Sequence, residues 1–196
     1  MTSLERVVAS LAKLPGLGRK SASRVAYHLL RAAPAFVRTL AADIVAVREK
    51  VRPCRQCGMY AETDTCGICA DPSRDPSVVC VVEQSWDVET IEATREFRGR
   101  YHVLMGVLSP IDGIGPNDIR LGSLLERVRA DGIKEVILAT NPTVEGEATA
   151  ALISAQVREL GVTATQLAHG LPMGSDLEYS DRLTVSRALR ARVRLN

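Results

Sequence analysis

The sequence predicts an α+β chain of several modules: a helical N-terminal part, a small metal knuckle, an α/β domain with a mostly parallel sheet, and a C-terminal loop and helix. Three observations point there. Up to residue 53 the apolar residues recur at helical spacing in three segments. Four of the five cysteines then fall between Cys54 and Cys69. From Val78 onward, short β-branched runs alternate with amphipathic stretches, the pattern of strands and helices built around a parallel sheet.

In the first module Leu4, Val7, Val8, Leu11 and Leu14 recur at helical spacing after Ser3, a suitable N-cap, so a helix is expected from there to near Pro15. Residues 14–22 read Leu-Pro-Gly-Leu-Gly-Arg-Lys-Ser-Ala, and a second helix follows with Ala22, Val25, Ala26, Leu29 and Leu30 on its apolar face. Gly16 and Gly18 lack Cβ, so the backbone there can approach a phosphate while the N–H groups opening the next helix point at it. Lys20 and Arg24, spaced i,i+4, place two cations on one helix face, with Arg19 beside them. This is not a Walker A loop, which needs Gly directly before Lys and a strand before the loop. Nor is it a dinucleotide fingerprint, because Ser21 occupies the third glycine position. Phe36, Leu40, Ile44, Val47 and Val51 give a third amphipathic helix, expected to be core.

The net charge of +2 conceals an uneven distribution. Met1 to Pro53 carries ten Lys or Arg against three acids, a net +7, which leaves −5 on the remainder. After Asp181 come Arg182, Arg187, Arg190, Arg192 and Arg194 with no acid. Such asymmetry fits a polyanion or an acidic surface of another subunit, and charge alone does not choose. No apolar run reaches membrane-spanning length, and Glu5, Arg6 and Lys13 near the start are unlike a signal peptide, so the expected location is cytoplasmic with no membrane partner.

The cysteines are spaced as Cys54-x2-Cys57 and Cys66-x2-Cys69, separated by eight residues. Each CxxC pair can clip a tetrahedral metal with two thiolates, so the expected ligands are Cys54, Cys57, Cys66 and Cys69 and the expected cofactor is zinc. Four thiolates leave no position for water, which assigns the metal a structural role. The alternative, two disulfides, suits a reducing compartment poorly and leaves Cys80 odd. Gly58 and Gly67 are placed where the chain must turn to aim sulfur at metal.

Residues 70–77, with two prolines among polar residues, read as a linker between the knuckle, 54–69, and the α/β domain, 78–168. Strands are expected at Val78–Val82, Tyr101–Met105, Val136–Ala139 and Val162–Ala168, with helices over Val88–Ala93, around Leu121–Val128 and over Glu147–Leu160. Cys80 lies inside the first strand and reads as a buried hydrophobe. Two strand ends carry polar groups where open α/β sheets place their sites: Glu83, and the run Asn141-Pro142-Thr143-Val144-Glu145-Gly146-Glu147. Glu145 and Glu147 fit residual metal binding or simply the favoured placement of acids in a first helical turn. His28, His102 and His169 have no nucleophile motif around them.

Leu14 to Ala22 resembles a helix-hairpin-helix, the DNA-backbone clamp of many repair proteins. Glu83 with residues 141–147 resembles a Toprim domain, whose strand-end glutamate and Asp-Pro-Asp-x-Glu-Gly-Glu run hold magnesium for work on phosphodiesters. Asn141 and Thr143 replace the two aspartates, so the acid cluster of Glu83, Glu145 and Glu147 is a degenerate one. The order of these parts, ending in His-Gly-Leu-Pro-Met-Gly-Ser-Asp-Leu-Glu-Tyr-Ser-Asp at residues 169–181 within a 169–196 tail, resembles the RecR family of bacterial recombination mediators across essentially the whole chain.

That resemblance implies a non-enzymatic DNA-binding clamp in recombinational DNA repair, working with RecO and RecF to help load RecA on single-stranded DNA. It implies a homo-oligomer, from dimer to tetramer ring, built by swapped N-terminal parts and C-terminal contacts. Lys20 and Arg24, with Gly16, Gly18 and Arg19, would meet DNA phosphates, and Glu83, Glu145 and Glu147 would sit where partner contacts are expected. Two other readings stand beside it. A metal-dependent Toprim-type nuclease or primase-like enzyme would show magnesium-dependent chemistry lost on Glu83→Gln; a protein adaptor would bind DNA weakly and independently of Lys20.

Overall fold

A computed structural model describes all residues except 169, 172, 173, 175 and 194–196. The chain forms two compact units, Met1–Val51 and Arg52–Asn196.

The first unit is three helices: α1 (Ser3–Leu11), α2 (Arg19–Arg31) and α3 (Pro34–Lys50). Helix α1 begins one residue earlier than the Ser3 cap suggests. Thr2 is the N-cap and forms a capping box with Glu5: the Glu5 N–H donates to Thr2 Oγ1 at 3.2 Å, and the Thr2 N–H donates to Glu5 Oε2 at 2.7 Å. It also ends at Leu11, so Leu14 lies outside it and is exposed. Ala22 and Ala26 are the buried residues of α2, small enough for α1 to pack closely. Helix α3 corrects an expectation. Its apolar residues are not core: Phe36, Leu40, Ile44 and Val47 are all exposed, and no residue of the helix is buried.

The second unit joins the cysteine knuckle to an α/β domain. Strands β1 (Arg52–Pro53) and β2 (Tyr60–Ala61) pair antiparallel, and α4 (Gly67–Ala70) is a single turn. The sheet has four parallel strands in the order β4-β3-β5-β6: β3 (Asp75–Val82), β4 (Gly99–Val103), β5 (Glu135–Ala139) and β6 (Thr163–Gln166). Helices α5 (Ser85–Thr94), α6 (Leu121–Ala130) and α7 (Val144–Glu159) connect them, so the expected mostly parallel α/β arrangement holds. Strand β3 starts inside the stretch read as a linker. The Asp75 N–H donates to the Arg98 carbonyl at 2.9 Å and Asp75 pairs with Gly99, after which the register shifts before Val79. Pro76, which has no N–H to donate, sits within this irregular first part of the strand.

Alternation along β3 splits the core in two. Val79 and Val81 join Val136, Leu138, Leu124 and Ile153 in one cluster that involves α6 and α7. Cys80 and Val82 join Val88, Tyr101 and Val103 in a second cluster, against which Met59 and Ile68 of the knuckle pack. Burial pushes the Cys80 thiol up to about 12, as befits an inert core residue. Polar anchors reinforce the second side: Glu92 accepts from Arg74 Nη1 at 2.8 Å and from the Tyr101 hydroxyl at 2.6 Å. A 3-10 turn (Leu177–Tyr179) and helix α8 (Arg182–Arg190), capped by Asp181, follow β6. Of the tail motif and the C-terminal arginines, His169, Pro172, Met173, Ser175 and Arg194 lie outside the described residues.

Candidate nucleic-acid interface and metal centre

The four cysteine sulfurs lie within 4.8 Å of one another and all four residues are buried. Local turns hold them there. The Gly58 N–H donates to the Cys54 carbonyl at 2.9 Å and the Ala70 N–H to the Cys66 carbonyl at 3.0 Å, closing a turn at each CxxC. Gly58 has φ +83°, a left-handed conformation that favours glycine, and an added Cβ would strike Arg120 Nε at 2.6 Å. Gly67, by contrast, simply opens α4 and has no positive φ. The Val103 N–H donates to the Cys57 carbonyl at 2.6 Å, fastening the knuckle to β4.

The donors fit zinc. The Cys66 N–H points at Cys54 Sγ at 3.3 Å and the Met59 N–H at Cys57 Sγ at 3.4 Å, polarising the sulfurs as thiolate ligands require. Burial works against ionising Cys54, but backbone N–H groups of Cys57, Cys66 and Gln56 outweigh it and bring the thiol down to about 7. Burial, with its thiol neighbours, pushes Cys66 up to about 11. Cys57 is raised further, first by the neighbouring Cys69 thiol and then by burial. One thiolate forms readily while its neighbours resist a second negative charge, and a dication at the centre relieves that resistance. Cys54, Cys57, Cys66 and Cys69 would hold the metal, which supplies a fold-stabilising crosslink.

The glycine turn between α1 and α2 is open. Gly16 has φ +79°, and an added Cβ at Gly16 or Gly18 would meet nothing within 4 Å. Gly18 is the N-cap of α2 and offers no side chain to its first-turn N–H groups, and that turn holds no acid. Arg19, Lys20 and Arg24 are exposed. None of the three joins an ion pair among the described residues. Uncapped donors and free cations at one helix start form an anion-receptive end.

The acids at the sheet's carboxyl end are arranged differently. Glu83, 8% exposed, accepts two hydrogen bonds from Asn141: backbone N–H to Oε1 and amide Nδ2 to Oε2, both at 2.7 Å. The amide thus stands on the carboxylate where a cation would otherwise be needed. Gly146 completes the fit, since a Cβ there would strike the Asn141 carbonyl and come within 2.8 Å of Glu83 Oε1. Glu147 forms an ion pair with Arg187 at 3.1 Å, and Glu145 is half-buried in the same first turn of α7. Among the described residues, the cysteines alone form a converging group of three or more potential metal ligands. Sequence reasoning noted Asn141 as a lost aspartate; that it secures Glu83 needed the strand ends side by side. The Arg187 partnership had no sequence signal at all.

Comparison with known proteins accounts for these parts together. Family models match as a RecR helix-hairpin-helix over residues 4–48, a RecR four-cysteine zinc finger domain over 51–71, a Toprim domain over 77–168 and a RecR C-terminal part over 170–193. The chain is 54% identical over 193 residues to Recombination protein RecR of Acidothermus cellulolyticus, covering 98% of this chain and 97% of that protein. It is 51% identical to the protein of the same name from Rubrobacter xylanophilus, covering 97% and 96%, and 51% identical to that of Streptomyces coelicolor, covering 96% and 95%. With its hairpin, zinc finger, Toprim and C-terminal parts in this order and relatives similar over nearly its full length, the chain belongs to the RecR family.

Proposed function

We propose that this chain is a DNA-binding clamp in recombinational DNA repair that performs no chemistry itself and acts with RecO and RecF to help load RecA on single-stranded DNA. The observation that carries the DNA part is the start of α2, where uncapped N–H groups and the unpaired cations Arg19, Lys20 and Arg24 follow the open Gly16 and Gly18 turn. A phosphodiester supplies what that end lacks, negative charge and acceptor oxygens. Gly16 and Gly18 give the phosphate room, and Lys20 and Arg24 neutralise it. The non-enzymatic part rests on Glu83 being held by Asn141 and Glu147 by Arg187, which leaves a magnesium-dependent mechanism short of free carboxylates.

The exposed apolar residues Phe36, Ile44 and Val47 of the 17-residue α3, which has no buried residue, support a homo-oligomer, dimer to tetramer ring, as a face that another subunit can cover. Contacts with RecO and RecF are proposed at the region of Glu83, Glu145 and Glu147, as the family resemblance implies.

The test is DNA affinity against salt for wild type and Lys20→Ala, with magnesium present and products run on a denaturing gel. The clamp reading expects uncut DNA, weaker binding by Lys20→Ala, and a log–log salt slope smaller by about one. Magnesium-dependent cleavage would favour the Toprim enzyme, and affinity independent of Lys20 would favour the adaptor.

A further inference from the structure

Helix α2 carries an aromatic residue beside its cations. Lys20, Arg24 and Tyr27 follow one another at i, i+4 and i+7 and so share a helix face. All three line an open groove of about 1240 Å³, whose opposite wall is the apolar side of α1 formed by Leu4, Val8 and Ala12. Tyr27 is 53% exposed, a large aromatic surface left in water. The groove carries three cations, Arg19, Lys20 and Arg24, against one acid, Glu5, whose carboxylate also accepts the Thr2 N–H in the α1 capping box, so its lining is net basic.

We propose that Tyr27 is a stacking platform for an unpaired base, and that the groove thereby selects single-stranded over duplex DNA. The inference rests on the DNA reading of α2 and adds to it the strand preference. Cations that track a phosphate backbone beside an exposed aromatic ring are the two components of sequence-tolerant single-strand binding. A single strand can place its phosphates on Lys20 and Arg24 and turn a base onto the ring and the apolar wall. A duplex offers the same phosphates, but its bases are paired and stacked and cannot enter. Charge complementarity decides the occupant: an apolar helix from a second copy would bury Arg19, Lys20 and Arg24 with Glu5 as their one counter-charge in the groove, whereas a phosphate backbone supplies the rest.

The experiment compares wild type, Tyr27→Ala, Tyr27→Phe and Lys20→Ala in binding a fluorescein-labelled oligothymidylate and a labelled duplex of equal length across a salt series, with sedimentation velocity on each variant. Tyr27→Ala should lose about tenfold in single-strand affinity, keep its duplex affinity and keep the wild-type salt slope, because stacking releases no counterions. Tyr27→Phe should bind as wild type does. Equal single-strand affinity in Tyr27→Ala, or equal losses on both DNAs, would overturn the platform; so would a changed oligomeric state in Tyr27→Ala, which would place the ring in a subunit contact. Lys20→Ala separates the two levels. If it weakens binding while Tyr27→Ala does not, the platform alone fails; if neither matters, the DNA reading of α2 fails with it.

Discussion

The starts of α2 and α7 are opposites. Helix α7 satisfies itself: Thr143 caps it by accepting the Gly146 N–H at 3.0 Å, and Glu145 and Glu147 complement its dipole. Helix α2 has a glycine for a cap and no acid in its first turn, which instead carries the cations Arg19 and Lys20, with Arg24 one turn on. The difference extends to the units that hold them. Around the start of α7 the α/β unit closes its polar groups on one another, whereas the helical unit leaves cations and the apolar side chains of α3 facing out. Self-satisfaction marks a scaffold; unfilled demand marks a surface built for a partner.

The comparison breaks most severely at the knuckle. Cys57→Ser should abolish stoichiometric zinc and unfold residues 54–69, since the binding free energy of a structural zinc, about 10 kcal/mol or more, is largely folding free energy. Metal analysis and a thermal melt check this, and an intact, zinc-replete variant would refute the structural role. Next is His102, fully buried on β4, where Nε2–H donates to the Arg120 carbonyl at 2.9 Å and Nδ1 has no partner among the described residues. Burial holds it down at about 4 against 6.5 for a free histidine. The unfolded chain therefore binds the proton first as pH falls. The contribution is fully present above 6.5 and is lost toward 4, about 3 kcal/mol in all, and denaturant midpoints measured against pH should lack this slope in His102→Gln.

A sharper probe of the α/β site is Asn141→Asp, which removes the Nδ2 donor and sets a second carboxylate against Glu83. Stability should fall by about 2 kcal/mol, and magnesium should restore part of it because two carboxylates now offer hard anionic ligands. The wild-type melting temperature should not respond to magnesium. The smallest effect is Thr143→Ala, which uncaps α7 at a cost of about 1 kcal/mol in denaturant unfolding and leaves DNA affinity unchanged.

Much of this was legible in the sequence because it is local. Periodicity located the helices, β-branched runs located the sheet strands, and the CxxC spacing identified the metal ligands. What the sequence concealed depends on partners far along the chain. Asp75 belongs to a strand because Gly99 pairs with it, and Asn141 secures Glu83 from 58 positions away. Helix α3 is a different kind of failure. Phe36, Leu40, Ile44 and Val47 have the spacing of a core face, and that spacing is the same whether a helix is covered by its own chain or by another.

The most direct test is Gly18→Asp. Gly18 has φ −73° and ψ 164°, the extended backbone of an N-cap, and a side chain there meets nothing. An aspartate would therefore cap α2 as Thr143 caps α7, filling with its own carboxylate the place assigned to a phosphate. A folded variant within about 0.5 kcal/mol of wild type that loses at least about tenfold in DNA affinity at low salt is the predicted result. Wild-type DNA affinity in that folded protein would contradict the claim that the open start of α2 is the DNA site.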